Sequence, residues 1–140
     1  MTLHLMKLAV GIDDLEALSI RQRQLRRHGG RPNPFHITRM MPRRASEILS
    51  GGSLYWVIKG HFACRQGIVG IERVTLDDGR AACRLDLDPT LIPVRALARR
   101  PFQGWRYLAG EDAPKDMSSD DQGARLPAEL RVSLSDLGLL

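Results

Sequence analysis

The sequence predicts an α+β fold, in which a small, curled, mostly antiparallel β-sheet of about five or six strands is flanked by peripheral helices. First, residues Leu54 to Lys59 alternate between two faces that both carry apolar bulk, as expected of a central strand. Second, Gly67 and Gly70 interrupt the next strand, which typically marks a bulge that curls a small sheet. Third, Asp77-Asp78-Gly79 is a turn that joins neighbouring antiparallel strands.

The first third of the chain predicts a strand followed by a helix. Thr2 to Val10 alternates as a strand does, but the alternation changes phase near Leu5, which predicts a bulge there. Asp13 to His28 begins with acidic residues and carries apolar residues at helical spacing. Gly29 is expected to end this helix.

The middle of the chain predicts another strand and a short helix before the central strand. Phe35 to Met40 alternates as a strand. Pro42 stands where the first turn of a helix tolerates proline, so Pro42 to Ser50 is expected to be helical. Gly51 is expected to close that helix.

The second half predicts a hairpin and a C-terminal helix. The hairpin arms are Gly70 to Leu76 and Arg80 to Leu87, and Val94 to Ala98 is a further short strand. Glu111 to Arg125 is acidic and rich in small polar residues, which predicts an exposed, mobile loop. Pro127 to Leu137 is the predicted C-terminal helix.

The length and composition predict one domain over residues 1–140, because a chain of 140 residues with 43% hydrophobic residues can bury its own core. Cys64 and Cys83 fall in predicted strands and lack metal-ligand spacing. Met1 to Val10 has no signal-peptide pattern, and no apolar run approaches the roughly 20 residues of a membrane span. We therefore expect a reduced, cytoplasmic protein without a membrane segment.

Positive charge is concentrated in one part of the chain. The net charge is +5 and the sequence pI is about 9.9, yet Ala17 to Ser46 contains no acidic residue. That window carries eight arginines, namely Arg21, Arg23, Arg26, Arg27, Arg31, Arg39, Arg43 and Arg44. Such a concentration of positive charge attracts polyanions, because binding releases the counterions of the polyanion. The alternative is a solvated arginine face that only keeps the protein in solution.

A second cationic segment, Arg99 to Tyr107, combines guanidinium groups with aromatic rings. Rings stack on unpaired bases, arginine pairs with phosphate, and Gln103 can bond a base edge. The alternative is that Phe102 and Trp105 belong to the core. The predicted nucleic-acid-binding residues are Arg23, Arg27, Arg39, Arg43, Arg44, Arg99, Arg100, Gln103, Trp105 and Arg106.

Catalytic and metal motifs are weak. The histidines, His4, His28, His36 and His61, are far apart and match no zinc signature, so neither a metal nor a cofactor is predicted. Ser53 with His61 and an acid would make a nucleophile set, but no Gly-x-Ser-x-Gly context surrounds the serine. A pocket between the central strand and the Arg100 segment is expected to contain Ser53, Tyr55, Lys59 and Tyr107.

Two segments carry a family resemblance. Gly51 to Gly60 and Arg100 to Leu108 resemble a family of small, uncharacterised alphaproteobacterial proteins, a domain of unknown function. The resemblance runs nearly end to end, including Thr38 to Arg44 and the Leu-Gly-Leu-Leu end. A more distant likeness is to the PUA-like pseudobarrels, including the ASCH and EVE groups. His36 to Met40, Pro42 to Ser50 and the central strand follow their order of strand, glycine-ended helix and strand.

The distant likeness implies RNA or modified-base binding, and some ASCH members hydrolyse acylated cytidine. The ASCH pattern places Lys, Glu and Arg just after the helix-ending glycine, whereas this chain has Ser53 to Trp56 there. We therefore predict a module that binds RNA or a modified base. The alternative is a small hydrolase that acts on a nucleoside-like or acylated substrate in the same pocket.

Overall fold

The computed structural model describes residues 2–29 and 33–117, with the side chains of 25–29 left out. The elements follow one another as β1 (Leu3–Leu8), α1 (Leu15–Gly29), β2 (Phe35–Thr38), α2 (Ala45–Ile48), β3 (Ser53–Ile58), β4 (His61–Thr75), β5 (Ala81–Leu87), β6 (Ile92–Pro93), β7 (Trp105–Ala109) and a 3-10 turn (Gly110–Asp112).

The strands form one open sheet in the order β2-β5-β4-β3-β1-β7, with β6 paired to β4. Every pairing is antiparallel except that of β1 with β3. The prediction of an α+β fold with a mostly antiparallel sheet is confirmed. The described residues hold seven strands instead of five or six, partly because β6 is a two-residue strand that the sequence pattern does not show.

Strand β3 is central, as predicted. It lies between β4 and β1, and all six of its residues are buried. Leu54 and Trp56 belong to a core cluster on one face of the sheet, and Tyr55 and Val57 belong to a second cluster on the other face. A strand with a core on both faces must be apolar throughout, which explains its composition.

The curl of the sheet arises in β4. This strand has 15 residues; its first part pairs with β3 and its last part with β5. The pairing with β5 shifts register between Ile68 and Gly70, which confirms the predicted bulge. A bulge bends a strand and increases its twist, so the two halves of the sheet fold toward each other.

Two contacts measure how far the sheet curls. His36 on β2 and Trp56 on β3 are three strands apart, which is about 14 Å in a flat sheet. Their ring centroids are nevertheless only 5.3 Å apart. The indole N–H of Trp105 on β7 donates a 2.8 Å hydrogen bond to the carbonyl of Met40, just after β2. The two edge strands therefore approach each other but do not pair within the described residues.

Helix α1 packs inside the curl, where a buried polar network fixes it. Leu15 and Leu18 join the inner core cluster. Gln22 exchanges two side-chain amide hydrogen bonds of 2.7 and 2.8 Å with Gln66, which is fully buried on β4. The indole N–H of Trp56 donates to the same Gln66 oxygen at 2.8 Å. Helix, central strand and long strand are thus tied together at one point.

Several predicted boundaries are wrong. Strand β1 has no bulge, because it keeps continuous register with both β3 and β7 and places apolar side chains in both core clusters. Helix α2 is confined to Ala45–Ile48. Val94 and Ala98 form only isolated bridges, to Asp116 and His61 respectively, instead of a strand over 94–98.

The C-terminal predictions are only partly within the described residues. The predicted helix at 127–137 and the later part of the acidic loop lie outside them. Residues 111–117 of that loop are anchored, because Arg65 holds Asp116 through two hydrogen bonds of 2.8 Å.

Replacing Trp56 tests the centre of the core. Trp56 is 4% exposed, and truncating a buried tryptophan typically costs about 3–5 kcal/mol. We expect Trp56→Ala to lower the free energy of unfolding by that amount in urea denaturation. Trp105→Ala is the matched control and should cost less, because Trp105 is only partly buried. Equal losses in the two variants would contradict the assignment of Trp56 to the core.

Gly52 is a second test of the fold. It follows Gly51, whose φ of +108° ends the α2 turn, and its amide donates to the Ile48 carbonyl at 2.7 Å. A β-carbon at Gly52 would overlap the carbonyl oxygens of Leu3 and Ile48. We expect Gly52→Ala to destabilise the protein by about 1–3 kcal/mol or more, measured by thermal or urea unfolding.

The control for this substitution is Gly67→Ala. There the nearest atom to a new β-carbon is the Asp88 β-carbon, 3.6 Å away, which is an ordinary contact. The change in stability should stay within about 1 kcal/mol. Wild-type stability in Gly52→Ala would show that α2 and β1 are not packed as described.

Candidate functional site

An open groove of about 920 Å³ runs along the unpaired seam between β2 and β7, and we call it the seam groove. It exists because the curl of the sheet brings the two edge strands together without joining them. Its polar and aromatic lining comes from β1, from the end of β2 and the residues after it, and from β7 with the turn before it. The lining residues of these kinds are Lys7, Thr38, Arg39, Gln103, Trp105, Arg106 and Tyr107. Arg106 lies between Trp105 and Tyr107 on β7 and opposite Met6, so its side chain leaves the strand on the other face of the sheet.

Two aromatic rings are held firmly in the seam groove. Trp105 and Tyr107 meet edge to face, with centroids 4.9 Å apart and planes at 72°. The Trp105 indole is fixed by its bond to Met40. The Tyr107 hydroxyl accepts a 3.2 Å hydrogen bond from the amide of Arg44, whose guanidinium carbon lies 5.7 Å from the ring centroid. Both rings also pack partly against the core cluster that contains Trp56. Phe102 packs partly against the second cluster, so Phe102 and Trp105 both have the partial core contact that the alternative proposed.

The charge of the seam groove is positive. Its lining contains the side chains of Lys7 and Arg39 but no carboxylate. Partial burial lowers the pKa of Lys7, because it disfavours the charged ammonium group. An anion bound nearby would stabilise that charge. Arg44, beside the groove, is already paired with Glu47 at 2.6 Å. The free positive charge therefore lies inside the groove.

A second cavity of about 270 Å³ adjoins the seam groove, and we call it the inner cavity. The two share Lys7 and Ile37 in their linings. Arg21 and His36 also line the inner cavity, beside the Trp56 ring, and no carboxylate does. It therefore continues the positive surface toward the core.

His36 in the inner cavity is unusual. Its Nε2 is the one buried side-chain nitrogen or oxygen among the described residues without a hydrogen-bond partner. Burial, and then the charges of Lys7 and Arg21, together lower the pKa of His36 to about 4. The imidazole is therefore neutral at pH 7.

The structure brings four of the ten predicted nucleic-acid-binding residues into the seam groove: Arg39, Gln103, Trp105 and Arg106. Arg44 contacts it through Tyr107. The side chain of Arg27 lies outside the described residues. The others are exposed but line neither cavity, namely Arg23, Arg43, Arg99 and Arg100. The arginine-rich first third and the Arg99 to Tyr107 segment thus share the groove only in part.

The predicted pocket does not assemble as one site. Ser53 and Tyr55 are buried at 1% and 4% exposure, whereas Lys59 is exposed in the turn after β3. Tyr107 lies opposite Leu5 on β1, and Tyr55 lies opposite Met6, the next residue. Because neighbouring residues of a strand point to opposite faces, Tyr55 and Tyr107 are on opposite faces of the sheet.

No serine nucleophile set forms at Ser53 either. Its hydroxyl accepts a 3.0 Å bond from Arg65, and its amide donates to Nδ1 of His4 at 2.9 Å. His61 pairs with Ile58 at the far end of β3 and lies 3.2 Å from a backbone carbonyl instead. Burial, and secondly Arg65, lower the pKa of His4.

Within residues 2–29 and 33–117, no three His, Cys, Asp or Glu side chains are placed to hold a metal ion. The same part of the chain has no helix with the length and apolar character needed to cross a membrane. Cys64 and Cys83 are free thiols buried in the sheet, and burial raises the pKa of both.

Comparison with models of protein families identifies the family of this chain. A model of a protein family matches residues 5–140, which is nearly the whole chain. The chain belongs to the family described as "protein of unknown function (DUF1489)". This confirms the expected domain of unknown function. No curated protein and no solved structure matches the chain.

Sequence reasoning missed the role of Lys7 and His36. Each is a polar residue inside an otherwise alternating strand, and that was the available signal. Lys7 on β1 pairs with Trp105 on β7, and His36 contacts Trp56. The sequence separations are too large for spacing to reveal either contact.

The depressed pKa of His36 predicts an acid-sensitive fold. The unfolded chain binds a proton near pH 6.5, whereas the folded imidazole does so only near 4. The free energy of unfolding therefore keeps the full contribution of His36 above pH 6.5, and this contribution is lost as the pH falls toward 4. By pH 5 the loss is about 2 kcal/mol, to be measured by urea unfolding at several pH values.

His36→Gln is the control, because a neutral amide removes this titration. The variant should lose less stability than the parent between pH 7.5 and 5, although buried His4 still contributes to the loss in both. Identical pH profiles for the two proteins would contradict the assignment of a buried, neutral imidazole at position 36.

Proposed function

We propose that this protein binds RNA or a modified base, with a single-stranded or looped segment lying along the seam groove. The observation that carries the proposal is the lining of that groove: the two cations Lys7 and Arg39, two aromatic rings and a glutamine, without a carboxylate. A polyanion with flat bases matches each of these groups. The volume of the seam groove, about 920 Å³, is also far larger than a single small ion needs.

A phosphate would be held by Arg39. This residue is exposed and has no ion-pair partner within the described residues. Arginine forms paired hydrogen bonds with phosphate oxygens and needs no rearrangement of an existing salt bridge here. These contacts position a strand without reading its sequence.

Bases would be held by the aromatic pair and Gln103. Trp105 is partly exposed in the groove and is fixed by its hydrogen bond to Met40, so stacking a base on it costs little conformational entropy. Gln103 is exposed beside it and can donate to and accept from a base edge. A strand that contacts both would be bound with some base preference.

The PUA-like pseudobarrel likeness supports the same proposal. A curled sheet with a glycine-ended helix before its central strand is the arrangement on which that likeness rests. The hydrolase alternative has no specific observation in its favour, because neither cavity contains a carboxylate and Ser53 has no histidine base. The residues of the two cavities therefore favour a binding function over a hydrolytic one.

Fluorescence anisotropy with single-stranded and hairpin RNAs at two salt concentrations tests the proposal. We expect affinity to fall steeply with salt, with a slope of about −0.7 in log affinity per phosphate contact. Arg39→Gln should flatten the slope by about that amount. Trp105→Leu should weaken binding at both salt concentrations, by roughly 1–3 kcal/mol per stacked base, without changing the slope.

Arg73→Gln is the charge-matched control, because Arg73 is exposed on the β4–β5 hairpin and lines neither cavity. It should leave the slope nearly unchanged. Gln103→Ala should relax any preference among RNAs. Absence of binding by the parent at low salt and micromolar concentration would contradict the proposal, as would equal effects of the groove and control variants.

A further inference from the structure

The inner cavity has polar groups that nothing within the described chain satisfies. His36 Nε2 is buried and has no hydrogen-bond partner. Lys7 makes no hydrogen bond or ion pair within the described residues. Arg21 donates one 3.2 Å hydrogen bond to the carbonyl of Val10, which leaves most of its N–H groups available. Arg21 is exposed and Lys7 is partly buried, so the missing partner that matters is that of His36 Nε2. A buried polar atom normally finds a partner, so its absence here points to a ligand.

The ligand must be an anion. Lys7 and Arg21 supply two positive charges, and no acidic residue lines the cavity to neutralise them. Burial, and secondly these two charges, keep His36 neutral, so the imidazole can donate one hydrogen bond without adding a third charge. The remaining wall is largely apolar and includes the Trp56 ring. A compact anion with several acceptor oxygens satisfies all three nitrogen-bearing groups at once.

We infer that Lys7, Arg21 and His36 form a subsite for a phosphate monoester group. A monoester carries a charge of about −1.5 to −2 at pH 7, which matches the two cations, and offers three acceptor oxygens. A phosphodiester inside a strand carries only one charge and cannot present three free oxygens. The subsite therefore suits a terminal phosphate better than an internal one.

The position of this subsite connects it to the seam groove. Both cavities are lined by Lys7 and Ile37, so a strand in the groove could place its terminal phosphate in the inner cavity. This deepens the proposed function and rests on it for the source of the phosphate. A free mononucleotide presents the same chemical group and is the other source.

The first test is a titration of the full chain with inorganic phosphate at pH 7, at constant ionic strength set with chloride, followed by the side-chain NMR signals of the histidines. The signals of His36 should shift and saturate. Those of His4 and His61, which line neither cavity, should not. A shift of all histidines in parallel, or no shift of His36, would overturn the inference.

Variants make the test specific to this cavity. Lys7→Met keeps the length of the side chain and removes its charge, and Arg21→Gln removes the second charge. Each should weaken phosphate binding roughly tenfold or more, the usual effect of losing one charge-assisted hydrogen bond. Lys115→Met and Arg73→Gln are the controls, since both residues are exposed elsewhere. Thermal unfolding checks that each variant folds. Equal weakening by the controls would overturn the inference.

The second test separates the two sources and the two proposals. The same oligonucleotide is compared with a 5′-phosphate, with a 3′-phosphate and with free hydroxyls at both ends, alongside adenosine 5′-monophosphate. Tighter binding of either phosphorylated RNA, lost in Arg21→Gln, supports the terminal-phosphate subsite. Binding of the mononucleotide without RNA binding supports the subsite and contradicts the proposed function. Equal binding of all three RNAs, with no mononucleotide binding, supports the proposed function and overturns the subsite.

Discussion

The hydrogen bonds around Gln66 are the constraint on which the rest of the structure depends. Its side-chain oxygen accepts from both Trp56 and Gln22, and its nitrogen donates to Gln22 and to the carbonyl of Asp88. A fully buried amide must satisfy both ends, because each unsatisfied group costs about 1–3 kcal/mol. These hydrogen bonds of Gln66 fix α1 inside the curl and set the orientation of the Trp56 ring, which meets the His36 ring in a T-shaped contact.

The candidate site follows from the same curl. A bulge in β4 turns the sheet until β2 and β7 face each other, but no described hydrogen-bond ladder joins them. Unpaired edges usually invite association with another strand. Here the seam is lined by charged and aromatic side chains, with the Trp105–Met40 hydrogen bond as its cross-link. The open seam between β2 and β7 is therefore a cationic and aromatic surface.

Much of the fold could be predicted from the sequence, because short-range rules govern it. The alternation of β3, the bulge at Gly70 and the Asp77-Asp78-Gly79 turn all depend on neighbouring residues, and each was confirmed. The site was predicted less well. Arg39 and Trp105 were identified by residue type, whereas Ser53 and Tyr55 were grouped with Tyr107 because strand order cannot be read from spacing. The alternation of faces separates them.

By itself the sequence determined the types of element, the concentration of positive charge and the aromatic segment before Leu108, since all of these are properties of adjacent residues. Only the tertiary structure decided which charges meet. Lys7, Arg21 and His36 come together because β1 and β2, which are not neighbours in the sheet, approach each other across its curl beside α1. Such a meeting depends on the bend in β4, and its physical cause lies in packing between segments far apart in the chain.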